Sequence, residues 1–173
     1  MKKVILVRHA KSSWADPDTE DHDRPLAPRG IAAAPVIGAW LAERGHLPDA
    51  VLCSSSLRTR QTYERLHKAL PGLPAPSIEP GLYHANAKSL LARLARLERA
   101  RKAAMVIGHQ PGLGSLARKL ARTPVPARCV RAFKHFPTAA AAVLVFEDED
   151  WSEIAFDKAA FIDFAMPREL VAS

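Results

Sequence analysis

Val4-Ile5-Leu6-Val7-Arg8-His9 carries four apolar residues straight into a guanidinium and an imidazole. A run this short, rich in β-branched residues, reads as a buried strand, with polar chemistry waiting at its exit. The same design returns twice: Val51-Leu52-Cys53-Ser54 leads to Arg58, and Met105-Val106-Ile107-Gly108 leads to His109. Strands over Val4–Val7, Ala50–Cys53 and Ala104–Ile107 alternate with helical patterns over Ile31–Arg44, Leu57–Leu70, Ala87–Arg101 and Leu113–Ala121. Pro35 is placed in the first turn of its helix, where a missing N–H is tolerated. The arginines of 87–101 read as a solvated helix face. A short strand over Ser77–Glu79 follows a Pro-rich loop, and Ala141–Phe146 pairs with Glu153–Asp157 in a hairpin around the acidic tip Glu147–Asp150. Strands separated by helices imply right-handed crossovers and a largely parallel sheet covered on both faces. The late hairpin adds an antiparallel element. The expected fold is therefore α/β, a three-layer α/β/α sandwich with a mostly parallel, mixed sheet.

A chain of 173 residues suits one domain spanning 1–173. At 48% hydrophobic and 25% charged, its composition is that of an ordinary globular protein. No apolar run reaches the ~18–20 residues of a membrane span. The Met1-Lys2-Lys3 start lacks the long apolar stretch of a signal peptide, so the expected location is cytoplasmic. Cys53 and Cys129 are read as free thiols, because two cysteines make neither a disulfide framework nor a zinc site. The formal charge of +7 favours anionic partners. Its basic residues are dispersed and not interleaved with aromatics, which argues against a nucleic-acid binder.

In parallel sheets, ligands bind at the carboxyl ends of the strands. That rule gathers Arg8, His9, Arg58 and His109 at one edge, where they repel one another unless an anion sits between them. A phosphoryl group fits, since guanidinium forks pair with its oxygens. Histidine is a competent nucleophile when its attacking nitrogen carries no proton, and neighbouring arginines favour that state. The other ring nitrogen is expected to donate to a backbone carbonyl or a polar side chain. Attack on phosphorus gives a phosphohistidine that water hydrolyses, while Arg8, Arg58 and His109 stabilise charge on the equatorial oxygens. A metal on His9 and His109 is disfavoured by the adjacent arginines and by the lack of a carboxylate cluster.

These motifs bear a family likeness. Arg8-His9-Ala10-Lys11-Ser12-Ser13-Trp14, Ser54-Ser55-Ser56-Leu57-Arg58-Thr59-Arg60-Gln61-Thr62 and Gly108-His109-Gln110-Pro111-Gly112 resemble the three signature motifs of the histidine phosphatase superfamily, with its phosphoglycerate-mutase-like fold. The likeness runs from Lys3 to about Leu170 and includes Asp23-Arg24-Pro25-Leu26, Leu82-Tyr83-His84-Ala85 and Phe136-Pro137-Thr138. The short chain and the Ala-Lys-Ser-Ser-Trp variant resemble the small SixA-type phosphohistidine phosphatase branch. The resemblance implies His9 as nucleophile, a phosphate pocket of Arg8, Arg58 and His109, no metal and no organic cofactor. Lys11, Ser12 and His84 are further substrate-binding candidates.

One departure bears on the substrate. Larger family members use a carboxylate acid between the second and third motifs, but here Glu79 is the only acidic residue between Glu64 and Glu98. Glu79, Asp21 and Asp23 are the candidate acids. An alkoxide leaving group needs such an acid, whereas a phosphorylated imidazole leaves as neutral imidazole once its far nitrogen is protonated. The expected substrate is thus phosphohistidine in a protein. The alternatives are a phosphomonoesterase for a small phosphorylated metabolite and a non-catalytic phosphate-binding module. Trp14 and Tyr83 read as packing residues, and His22, His46, His67 and His135 as surface or loop histidines.

Overall fold

In the computed structural model, which describes residues 1–171, the Val4–Val7 run is the middle of strand β1 (Lys2–Arg8). The chain continues through α1 (Pro28–Glu43), β2 (Ala50–Ser54), α2 (Leu57–Ala69) and β3 (Pro76–Glu79). It then forms α3 (Ala87–Leu94), β4 (Ala103–Gly108), α4 (Gly112–Leu120), α5 (Ala127–Val130), β5 (Ala141–Phe146), β6 (Ala160–Ala165) and α6 (Pro167–Leu170). The strands make one six-stranded sheet in the order β3-β2-β4-β1-β5-β6. β3, β2, β4 and β1 are parallel, and β5 is antiparallel to both its neighbours. The expected three-layer, mixed α/β sandwich is observed.

Side-chain alternation builds both cores. Val4, Leu6, Leu52 and Val106 face α3 and α4 on one side of the sheet, packing with Leu90, Leu94, Leu113 and Leu116. Ile5, Val7, Val51, Met105 and Ile107 face α1 and α2 on the other, with Ile37, Leu41 and Leu66. Strands buried on both faces must be apolar at every position, which is why they read as continuous runs.

Tertiary contacts overrode the local pattern at several places. α1 begins at Pro28, so Pro35 lies inside the helix rather than in its first turn. The cost of about 3 kcal/mol for an internal proline is offset by the buried face of Ala34, Ile37, Trp40 and Leu41. α3 stops at Leu94 instead of reaching Arg101. The carbonyls of Arg99 and Arg101 instead accept from the buried Lys2 Nζ at 2.6 and 2.7 Å, and that of Arg101 also from Trp151 Nε1 at 2.8 Å. Nor are its arginines all solvated, because Arg93 grips Glu79 at 2.7 and 2.8 Å.

The hairpin partner of β5 is Ala160–Ala165, not 153–157. Asp157 and Ala159 first donate to the Lys119 and Leu120 carbonyls, both at 2.8 Å, which pulls the intervening chain onto the end of α4. Asp163, buried in β6, obscured that strand in the sequence. It accepts from His46 Nε2 at 3.0 Å, and His46 is accordingly buried rather than a surface histidine. Trp14 is exposed, with the Arg24 guanidinium 3.2 Å from its ring centre, so it is a stacking partner and not a packing residue.

Gly30 locks the start of α1 onto the loop after β1. A Cβ there would lie 2.2 Å from the Lys11 carbonyl oxygen and 2.8 Å from the Lys11 nitrogen, both of them backbone atoms. Gly30→Ala is expected to cost about 1–3 kcal/mol, read as a lower urea midpoint at unchanged slope.

Candidate active site

The parallel register of β1 and β4 creates the centre. Arg8 pairs with Gly108, so His9 and His109 leave adjacent strand ends side by side, with ring centroids 5.4 Å apart. The His9 amide donates to the Gly108 carbonyl at 3.0 Å. β2 ends next door at Ser54, and Ser56 then caps α2 by accepting from the Thr59 amide, which places the buried Arg58 in the first helical turn. Thr62 ties this helix to the loop after His9, accepting from the Ala10 amide at 2.9 Å and donating to the Arg58 carbonyl at 2.7 Å.

His9 is held in one tautomer. Its Nδ1 lies 2.8 Å from the Ala10 carbonyl. A carbonyl only accepts, so Nδ1 carries the hydrogen and Nε2 keeps its lone pair. Burial lowers the His9 pKa to about 4; the Ala10 bond opposes this, and Arg58, Arg8 and Arg24 reinforce it. His109 is lowered to about 3, first by burial and then by His9 and Arg58. Its Nε2 is 2.8 Å from Ser54 Oγ. Both imidazoles are therefore neutral at pH 7. A proton–nitrogen NMR titration of the free protein is expected to show them taking up protons only near pH 4 and pH 3. A midpoint near 6.5 for His9 would remove the electrostatic basis for a neutral nucleophile.

Arg8 is half-buried and donates to the Phe136 carbonyl at 3.1 Å. Burial and the Arg58 charge lower its pKa. Ala139, at a left-handed φ of 63°, donates to both the Arg8 and His9 carbonyls at 3.1 and 3.0 Å. Among the described residues, Arg8 Nε and His109 Nδ1 are the buried side-chain polar atoms without a hydrogen-bond partner. Such atoms normally cost about 1–3 kcal/mol each, and both belong to this cluster, where oxyanion oxygens would suit them.

The candidate acids separate clearly. Asp21 reaches the site: its Oδ2 accepts from Arg58 at 3.0 Å and from the Tyr83 hydroxyl, and its Oδ1 accepts from Arg24 at 3.0 Å. Partial burial raises its pKa, but the bonds from Tyr83, Arg58 and Arg24 outweigh this and hold it well below the usual carboxylate range. Asp23 is exposed and lies 3.6 Å from His22 Nδ1. Glu79, at the end of β3, is clamped by Arg93 and bonded by Ser77. Burial raises the Glu79 pKa, and those bonds bring it below its ordinary value. Because its carboxylate is held by Arg93 and Ser77, Glu79→Gln is expected to leave turnover within about twofold; a loss beyond about tenfold would make it the acid after all.

His84 stands at the rim with a left-handed φ of 57°, its Nε2 accepting from Arg58 at 3.4 Å and its ring stacked on Tyr83 at 4.0 Å. The Ser12 hydroxyl accepts from Arg24 at 2.5 Å, and Lys11 is exposed beyond it. Sequence reasoning assigned no task to Arg24 or Ser54, and it read Tyr83 as a packing residue, whereas the Tyr83 hydroxyl donates to Asp21 and its ring stacks on His84. The Leu-Tyr-His-Ala segment and the three-residue spacing of Asp21 and Arg24 were the available signals. Among the described residues no three His, Cys, Asp or Glu side chains gather as metal ligands. Burial pushes the nearby Cys53 thiol up to about 12, which rules out a thiolate nucleophile at neutral pH.

The sequence profile of the histidine phosphatase superfamily (branch 1) matches residues 4–87. An uncharacterized protein of Mycobacterium tuberculosis is 38% identical over 167 residues, covering 94% of this chain and 100% of that protein. The structure of a candidate phosphohistidine phosphatase SixA from Nakamurella multipartitia superposes with a TM-score of 0.80 at 31% identity, covering 96% of each chain. The protein histidine phosphatase SixA complexed with tungstate shares the fold, with a TM-score of 0.78 at 24% identity over 97% of this chain and 99% of that one.

Proposed function

Since the chain belongs to the histidine phosphatase superfamily, in its SixA-type branch, we propose that it removes phosphate from phosphohistidine in a protein through a phosphorylated His9. In this reading His9 Nε2 attacks phosphorus as the P–N bond of the substrate breaks. The electron pair passes to the leaving imidazole, which departs neutral because its far nitrogen is protonated. Water then attacks the phosphorus on His9, releasing phosphate and restoring the lone pair. Arg8, Arg58 and His109 hold the equatorial oxygens as charge builds. In the same reading His84, against Arg58 and His109, and Lys11 and Ser12, on the loop after His9, are further substrate-binding residues.

The observation that carries the choice of substrate is the state of Asp21. It is the one candidate carboxylate in the cluster, and Arg58, Arg24 and Tyr83 keep it ionised. An ionised carboxylate cannot give a proton to an alkoxide, but an imidazole leaving group does not require one. No helix among the described residues is long and apolar enough to cross a membrane, and a cytoplasmic phosphoprotein substrate belongs to the same reading.

The deciding experiment compares phosphate release from a phosphohistidine-bearing protein, an aryl phosphate and a sugar phosphate. Preference for phosphohistidine by kcat/KM is expected. Preference for the sugar phosphate would mean that an acid does reach the leaving group, making the protein a metabolite phosphatase.

A further inference from the structure

A groove of about 370 Å³ lies beside the candidate site, between the first turns of α1, the 135–138 loop and α6. Its floor is apolar, formed by Ala33, Val36, Pro137 and Met166, and Lys11, Arg29, His135 and Arg168 surround it with no acidic residue in the lining. Among the described residues no carboxylate lies within ion-pairing distance of Lys11, Arg29 or Arg168. The neighbouring acid, Glu169, is committed elsewhere: it pairs with Arg131 and accepts from the Met166 amide at 3.0 Å. A second cleft, beside α3, differs in kind: Asp49 and Glu98 lie in its lining, Arg101 pairs with Glu98 at 3.8 Å and Arg93 with Glu79 at 2.7 Å.

The groove shares its loops with the chemistry. Lys11 follows His9 by two residues, and Thr138 precedes Ala139, whose amide holds the His9 carbonyl. Two residues span at most about 7 Å, so Lys11 on the groove wall is within that reach of His9, and residues roughly two to four positions from a phosphohistidine, at ~3.3 Å each, are long enough to lie on this floor. A compact metabolite would not extend so far. We propose that the groove docks an acidic segment flanking the phosphohistidine of the protein substrate, one apolar side chain on the floor and carboxylates against Lys11, Arg29 and Arg168. The proposal rests on the phosphoprotein reading above and adds to it the local sequence that the substrate carries.

The test uses fluorescein-labelled peptides with a central histidine flanked either by Glu-Leu-Glu or by Lys-Leu-Lys, unphosphorylated for anisotropy and phosphorylated for turnover. The natural protein is expected to bind the acidic peptide at least tenfold more tightly and to turn over its phosphorylated form with a correspondingly lower KM. Arg29→Glu with Arg168→Glu, both exposed positions, should abolish that preference while leaving hydrolysis of free phosphoimidazole within twofold. The charge-matched pair Lys68→Glu with Lys88→Glu, outside the groove, should retain it. No preference in the natural protein, or a preference surviving in the groove variant, overturns the docking site. Phosphoimidazole hydrolysis without peptide preference would sink the groove and keep the substrate reading. Groove-dependent binding with no cleavage of any phosphohistidine would keep the groove and sink the substrate reading.

Discussion

His9→Ala is expected to lower turnover of a phosphohistidine substrate by on the order of 10⁴–10⁶, the scale seen when a covalent nucleophile is removed. The fold should survive. His9 sits just beyond the paired part of β1, and its side chain's hydrogen bond among the described residues runs to the adjacent Ala10 carbonyl at 2.8 Å. Truncation also takes a neutral ring out of a cluster of arginines, leaving no buried charge unpaired. Acid-quench labelling gives a second readout, because radioactive phosphate should be trapped on the natural protein as an acid-labile adduct and be absent from the variant. Full activity in His9→Ala, or an unlabelled natural protein turning over normally, would refute the nucleophile assignment and point to direct attack by water.

The second large effect is at Arg58. Arg58→Ala should reduce kcat by on the order of 10²–10³, as for one lost transition-state donor. Arg58→Lys should recover only part of it, since an ammonium cannot present two parallel N–H bonds to a phosphoryl group. The side chain also donates to the Asp21 carbonyl at 2.7 Å and to its carboxylate at 3.0 Å. A purely tethering role predicts a raised KM with nearly unchanged kcat, and the kcat–KM split separates the two roles. A loss in kcat below about tenfold, or ~1.4 kcal/mol, would leave Arg58 as the tether of Asp21.

The α/β class, the three parallel strands that end in chemistry and the late antiparallel strand were legible from residue order alone. Buried parallel strands announce themselves as apolar runs, because both faces must be covered. The same logic places Arg8, His9, Arg58 and His109 at one edge. Element ends were less legible wherever backbone groups bond to distant partners. α3 gave up its last turns because Lys2 and Trp151 claim the Arg99 and Arg101 carbonyls. β6 hid behind Asp163, whose cost of burial is met by His46, a residue 117 positions away.

What the linear sequence determined, then, was the sheet and the meeting of basic side chains at its carboxyl edge, since strand periodicity and connection handedness are local properties. What only the tertiary structure decided was the protonation and partnership of those groups. The Ala10 carbonyl selects the His9 tautomer, and burial with three arginines keeps the ring neutral. Arg58, Arg24 and Tyr83 converge to strip Asp21 of any capacity to donate a proton. Hydrogen bonds and burial depend on which side chains fold to within about 3 Å of one another, and no spacing along the chain encodes that.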